Sequence, residues 1–304
     1  MAMTEASYLA LEGNVRNLWK GYLAQNPDLN QGYFNIFTDA TAQFTDYLMG
    51  AMGRMHDWNG AVQYDTAELT YSKQYRPGKK DTGIQISRDM MEDGEYKRLL
   101  PMLIGGVAEG VQNTLNYDGA GFWNDAFAGS LYTTADGAAL CSASHYMKAG
   151  DTAQSNLHAL DLNYDNLETV LLAMKDLFND RGDKMLIRGS KVIAGMALER
   201  TCKQLFGTER LEAYQANYTP NAYKDFSYSI HPLITGNVWF VVNPVLMMNG
   251  QGSNFWMRRD PRTLERDGDA AKGDFNTEIL SWKNVGRWVI GATNWTWIQG
   301  SNPS

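Results

Sequence analysis

The sequence predicts an α+β chain, on three observations. Apolar residues at Leu99, Leu100, Leu103, Ile104, Val107, Val111 and Leu115 step by three and four, which lays one stripe along a helix of about five to six turns. Residues 62–64 and 69–75 alternate as strands do, and Ile84-Gln85-Ile86 resumes the alternation after a turn at R-P-G-K-K-D-T-G. From Phe255 to Ile298 the pattern returns to strand, with Trp288, Ile290, Trp295 and Trp297 alternating.

Each element follows in order. Tyr8, Leu11, Val15, Leu18 and Tyr22 share one face of a helix over 7–25, which Asn26-Pro27 ends. A helix of this length is marginal alone in water, so its stripe docks on this chain's own core or on another chain. A second helical stretch, about 33–55, carries Phe37, Phe44, Tyr47, Leu48 and Met52. Trp58 to Ser87 reads as a long hairpin with little apolar mass. Between Lys73 and Arg88 it holds Lys73, Arg76, Lys79, Lys80 and Arg88 against the single acid Asp81. A two-stranded ribbon does not hold itself together in water. It is expected either to lie on a partner surface, its basic tip on an acidic landing place, or to be a solvated loop.

The long helix is the beam of the chain. Pro101 marks its start or a kink. Gly105, Gly106 and Gly110 each cost roughly 1 kcal/mol against Ala, and they let another segment lie close. Beyond Asn124–Phe127 comes a Gly/Ser/Thr-rich segment with a turn at Asp136-Gly137. Asp165 is placed to cap a helix over 166–178, with Leu167, Val170, Leu171, Met174 and Leu177 on one face. Strand pieces at 185–187 and 191–193, a helix over 197–206 closed by Gly207, and a buried strand over 238–244 complete a compact α/β module. The tail reads as two antiparallel strands turning at Asn284–Gly286 and packing on the beam.

Composition narrows the function. The 304 residues are 44% hydrophobic and 20% charged, which is globular rather than disordered. A net charge of −7 argues against a protein whose main work is gripping phosphates. The two cysteines, Cys141 and Cys202, make no disulfide framework, as suits synthesis in a reducing cytoplasm. No apolar run is long enough to cross a membrane, and the first residues lack the pattern of a secretory signal. Nine tryptophans and sixteen tyrosines serve cores and subunit contacts alike.

The search for chemistry returns little. His56, His145, His158 and His231 share no zinc-type spacing, and no C-x-x-C, phosphate loop, dinucleotide fingerprint or nucleophile elbow occurs. Cys141 and His145, four apart, suit a nucleophile and its base only with an oriented third group and an oxyanion site. Their segment is not helical by composition, and a small buried cysteine is the simpler reading. Asp267-Gly268-Asp269 lacks the later ligands of a calcium loop and reads as a turn. Glu92-Asp93 sits at a helix start, where the helix dipole accounts for it. No catalytic, cofactor-binding or metal-ligating residue is assigned.

The order of the pieces resembles a known family. Ile86-Ser87-Arg88-Asp89-Met90-Met91-Glu92-Asp93 is similar to the run that joins the extended loop to the spine helix in tailed-phage major capsid proteins of the Hong Kong 97-type fold. Asn124-Asp125-Ala126-Phe127, then Asp136-Gly137-Ala138-Ala139-Leu140-Cys141-Ser142 with His145, is similar to that family's next segment. Gln154-Ser155-Asn156 and Asp180-Arg181-Gly182 continue in the expected order. The resemblance covers roughly 30 to 300 and is nearest to the head subunits of Mu-like phages and prophages. Met196-Ala197, where the family carries a Pro-rich run, and the tryptophan-rich end depart from that subfamily.

The resemblance implies a Hong Kong 97-like architecture: an N-terminal arm and lead-in over 1–57, an extended loop over 58–88, a peripheral domain with its spine helix over 89–156, an axial domain over 157–252, and closing peripheral strands over 253–304. It implies a shell of hexamers and pentamers of this chain around double-stranded DNA, contacted non-specifically. A separate scaffold protein, a portal, no cofactor and no membrane go with it. Lys73, Arg76, Lys79, Lys80, Tyr8, Leu11, Val15 and Leu18 are then the candidate inter-subunit contacts. An encapsulin-like cellular compartment on the same fold, and a hydrolase using Cys141 and His145, are the alternatives.

Overall fold

The computed structural model describes residues 5–87, 89–90, 93–207, 221–224, 226–266 and 279–303, without the side chains of 5–12. The first helix, α1, spans Glu5–Gln25. Strands β1 (Asn35–Thr38), β2 (Phe44–Met49), β3 (Leu69–Tyr75) and β4 (Gly78–Ser87) follow. The beam, α2, is Tyr96–Asn124, and its 29 residues make it about 44 Å long at ~1.5 Å per residue. Next come β5 (Leu157–His158), α3 (Tyr164–Lys175), β6 (Lys191–Gly195), α4 (Glu199–Phe206), β7 (Ser227–His231), β8 (Trp239–Val242) and α5 (Pro244–Met247). The chain closes with β9 (Asn254–Arg259), β10 (Leu264–Arg266), β11 (Ile279–Gly291) and β12 (Ile298–Ser301).

α2 outruns the stripe that predicted it. Leu100, Ile104, Ala108, Val111 and Leu115 are buried along one face, and then Gly119, Ala120, Phe122 and Trp123 are buried as well. The last turns are covered on more than one side, so the single-face period fades there although the helix continues. Pro101 lies inside the helix, after its first turn. Of the three glycines expected to admit a close neighbour, only Gly105 does, with the Tyr22 ring 3.3 Å from where a Cβ would stand. Gly106 and Gly110 face open space in this chain.

Two sheets flank the beam. One runs β1-β9-β11-β10, with β4 also along β11. The other runs β5-β12-β8-β6-β7. A core cluster of Val15, Trp19, Ile84, Ile86, Leu100, Ile104, Val111, Leu280 and Trp282 joins α1, the first half of α2, β4 and β11. A second, around Leu115, Phe122, Trp123, Phe240, Phe255, Ile290 and Trp297, ties the second half of α2 to both sheets. A third, around Leu167, Met174, Val192, Phe206 and Trp239, joins α3, α4, β6 and β8.

Several expectations are overturned. The stretch 33–55 is not helical: β1 pairs parallel with β9, and β2 pairs antiparallel with β3. Phe37, Phe44, Tyr47 and Leu48 suit a pleated surface as well as a helix face, and pairing decided for strand. Residues 62–64 form no strand. β3 and β4 are not a hairpin with each other. The ribbon is β2–β3, and β4 instead lies along β11 from Gly78↔Trp288 to Ser87↔Ile279. The boundary drawn at 57/58 therefore falls inside the ribbon's loop, and the predicted turn shrinks to Arg76-Pro77.

The tail has no turn at Asn284–Gly286. β11 runs straight through because Asn284 is buried and its amide donates to the Pro261 and Thr263 carbonyls, both at 3.0 Å. The chain then crosses to the other sheet, where β12 pairs with β8 and β5, so the closing segment is not confined to the first sheet. Residues 185–187 are irregular, with Leu186 at φ 52°. α3 is capped by Asn163, whose side chain accepts from Asn166 N–H at 2.8 Å, while Asp165 sits in the first turn. Arg88, Glu92 and Asp267-Gly268-Asp269 lie outside the described residues.

Candidate functional site: the ribbon and its loop

The β2–β3 ribbon rises from an aromatic base. The Trp256 ring lies 4.1 Å from Tyr75, 5.3 Å from Phe44 and 5.5 Å from Phe37, centroid to centroid. The Tyr75 hydroxyl meets Thr293 Oγ1 at 3.1 Å, and Thr293 donates to Asp46 on the facing strand. Burial raises the Asp46 carboxyl above the usual range. Lys73 Nζ donates to the Thr133 carbonyl and stands over the Tyr75 ring at 5.0 Å. Burial pushes its pKa down to about 8.

Residues 50–68 form the loop at the far end. Its neck is closed by Gly50 N–H donating to the Glu68 carbonyl at 2.8 Å. Polar groups tie the loop to the 148–183 region. Arg181 donates from Nε to the Ala51 carbonyl at 2.8 Å, and from a terminal nitrogen to Thr66 O at 3.0 Å and Asp65 Oδ1 at 3.1 Å. Asp180 Oδ1 accepts from Ala51 N–H at 2.7 Å. Arg54 pairs with Asp183, Lys148 with Glu68, and Gly53 N–H donates to Asp65. That backbone N–H, with Thr66 N–H and then Arg181 behind it, outweighs burial and holds the Asp65 carboxyl below its ordinary range.

The residues singled out by sequence are not gathered in one place. Lys73 is spent at the ribbon base. Arg76 is exposed and donates to Gln74 at 2.9 Å. Lys79 is exposed on β4. Lys80 pairs with Asp118 of the chain's own α2 at 2.7 Å, and Asp118 also accepts from Trp288 Nε1 at 2.9 Å. The acidic landing place for that lysine is thus internal. Val15 is fully buried in the chain's own core and Leu18 packs beside it, so α1 docks on α2. A side chain with no exposed surface offers nothing to a neighbour, which removes Val15 from the contact candidates. Tyr8 and Leu11 are on α1, with side chains outside the description.

Cys141 and His145 are not a nucleophile and base. The thiol is buried, burial raises its pKa, and its sulfur packs on Gly300. His145 Nδ1 donates to Asp136 at 2.7 Å, its Nε2 has no protein partner, and its ring stacks on Trp295 at 4.5 Å. Burial would raise the Asp136 carboxyl, but hydrogen bonds from His145, Thr134 and Tyr146 N–H outweigh it and hold it low. Among the described residues no group of three His, Cys, Asp or Glu is placed to hold a metal ion, and no helix is long and apolar enough to cross a membrane. Sequence reasoning missed the bonds of Arg181 altogether. Its one signal was the Asp180-Arg181-Gly182 turn, in which Gly182 has φ +81°.

No protein-family profile and no curated protein matches this chain in sequence. Solved structures do match in shape. A subunit of the procapsid of bacteriophage JBD30 aligns over 99% of this chain and 77% of its own length, with 13% identity and a TM-score of 0.54. A virus-like particle from Pyrococcus furiosus aligns over 95% of this chain and 98% of its own, at 8% identity and a TM-score of 0.52. The capsid of a native GTA particle aligns over 91% and 90%, at 11% identity and a TM-score of 0.52. At these identities the likeness is one of fold, and over nearly the whole of its length this chain has the Hong Kong 97-type fold of phage capsid subunits.

Proposed function

We propose that this protein is a major capsid subunit that assembles as hexamers and pentamers into an icosahedral shell around phage double-stranded DNA. One observation carries the reading: the alignment with the procapsid of bacteriophage JBD30 spans 99% of this chain. The acidic balance supports it, since strong phosphate contacts would oppose packaging and release. Many modest interfaces acting together then hold the shell. A separate scaffold protein and a portal are its partners, the virion is its location, and the bacterial cytoplasm is where it assembles. In this reading the arm, ribbon, peripheral and axial regions take the places expected above, with the extended loop redrawn as 44–75.

A second reading, a cellular compartment shell loaded with protein cargo, draws on the virus-like particle, whose own length is covered to 98%. Electron microscopy of the purified protein tests both. Closed particles support a shell, and their contents separate the two: nuclease-protected DNA from an infected or induced host favours the phage head, and a co-purifying enzyme favours the compartment. A protein that stays a monomer at high concentration removes both.

A further inference from the structure

The 50–68 loop is held at its ends and released in its middle. Arg181, Asp180, Asp183 and Lys148 bond to residues 51, 54, 65, 66 and 68. Residues 54–64 are exposed or partly exposed throughout and lie in neither strand nor helix. Among the described residues, 55–64 take part in one hydrogen bond, from Ala61 N–H to Asn59 Oδ1 at 3.4 Å. At that point the sequence reads Asn59-Gly60. Gly60 has φ +99°, a Cβ added there would meet nothing within 4 Å, and among the described residues its N–H has no partner. Asparagine is a thermolabile residue. Before a glycine it is most exposed to its own backbone: no side chain shields the glycine nitrogen, and the amide carbon is one five-membered ring away.

We propose that Asn59 is a self-modifying site, at which the Gly60 amide nitrogen attacks the Asn59 side-chain carbon and converts the asparagine to aspartate and isoaspartate. The bond that forms is Gly60 N to Asn59 Cγ, and the bond that breaks is Cγ–Nδ2. Nδ2 leaves as ammonia, with the proton that the Gly60 nitrogen gives up, and a succinimide remains. Water then opens the ring. Cleavage at Cγ restores the ordinary backbone as aspartate, and cleavage at the main-chain carbonyl leaves isoaspartate. Water is the only co-reactant. Ala61 N–H already donates to Oδ1, the oxygen on which negative charge gathers during the attack. The chain carries its own control at Asn249-Gly250, which is also exposed and also open around the glycine. There the turn is fixed. Asn249 N–H donates to the Leu246 carbonyl at 3.2 Å, the Asn249 carbonyl accepts from Gly252 N–H at 2.8 Å, and the Gly250 carbonyl accepts from the Asn254 amide. Turning that peptide into the attack geometry breaks these bonds, whereas turning the 59–60 peptide breaks no backbone-to-backbone bond. The same dipeptide therefore reacts far faster at 59 than at 249. Conversion adds one negative charge to a chain of net charge −7, close to Asp57.

The test is peptide mapping by mass spectrometry of purified full-length protein, kept dilute enough to stay dispersed and incubated over days at about pH 8. Asn59 is expected to convert at least ten-fold faster than Asn249, a difference of ~1.4 kcal/mol in barrier. Labelling by an isoaspartyl methyltransferase is expected to mark the peptide that contains residue 59, and ion exchange to show a form one charge more acidic. The rate at 59 is expected to rise with pH, because the Gly60 nitrogen must lose its proton. Gly60→Ala is expected to slow conversion several-fold, and Asn59→Gln to abolish it, since its ring would be six-membered. In denaturant the two sites are expected to converge, which assigns their difference to the fold. An Asn59 that keeps its amide, that converts no faster than Asn249 in folded protein, or that converts at the wild-type rate in Gly60→Ala overturns the proposal. Each of these results leaves the shell reading standing, since that reading rests on the fold and not on this residue.

Discussion

Gly119 and Gly110 show how a single position on α2 is decided by what faces it. A Cβ on Gly119 would stand 1.8 Å from Asn30 Oδ1. Asn30 cannot move aside, because it is buried and donates to the Leu115 carbonyl at 2.9 Å. Gly119→Ala is expected to destabilise the fold by about 1–3 kcal/mol, the usual cost of overpacking. Gly110 has nothing within 4 Å, so Gly110→Ala is expected to stabilise by about 0.5–1 kcal/mol through helix propensity. Denaturant unfolding of the two variants beside the wild type checks both signs. His231 sets a pH dependence. It is fully buried, accepts from Leu233 N–H at Nδ1, and burial lowers its pKa to about 4. Between its ordinary value near 6.5 and that folded value, the unfolded chain binds a proton that the fold refuses. Stability attributable to His231 is therefore present above that window and is lost as the pH falls through it, by about 2 kcal/mol between pH 7 and 5. His231→Asn keeps an acceptor for Leu233 and is expected to flatten that slope in unfolding curves.

The elements show what could be read early and what could not. α1, α2, α3, α4, β6 and β8 were legible because each buries one face or one continuous run within its own sequence. The ribbon was not. β2 finds β3 across the whole 50–68 loop, and β4 finds β11 near the far end of the chain, so neither partner lies in the local window. The Asn284–Gly286 turn signal misled for the same reason: the Pro261 and Thr263 carbonyls that satisfy Asn284 belong to a segment twenty-odd residues earlier. Placement of the ribbon changes the experiment that probes it. Deleting the turn predicted over 76–83 would remove six of the ten residues of β4 and their pairing with β11. Replacing 51–67 by a two-residue Gly-Asn turn spares both strands, since Gly50 N–H and the Glu68 carbonyl already meet at the neck. Subunits with that replacement are expected to fold, with thermal midpoints within a few degrees of wild type, and to remain soluble without closing shells. Normal shells from this variant would show that the loop is dispensable.

The molecule as a whole divides between what it completes alone and what it leaves open. Two apolar clusters tie α1 and both sheets to α2, and a third packs α3 and α4 on β6 and β8. Sequence shows charge and apolar type but not which way a side chain turns. Val15 is buried, Lys73 is spent at the ribbon base, and Lys80, though exposed, is held by the chain's own Asp118, while residues 50–68 read in sequence as the end of a helix and the start of a hairpin. What stays open is the loop over 50–68, where Met52, Met55, Trp58, Val62 and Tyr64 are exposed. The most direct measurement is sedimentation velocity of the purified full-length protein at rising concentration, with electron microscopy of the fastest fraction. The account requires the 34.1 kDa chain to pass into uniform closed particles. A single slow boundary at the mass of one chain, unchanged up to millimolar concentration, would contradict it.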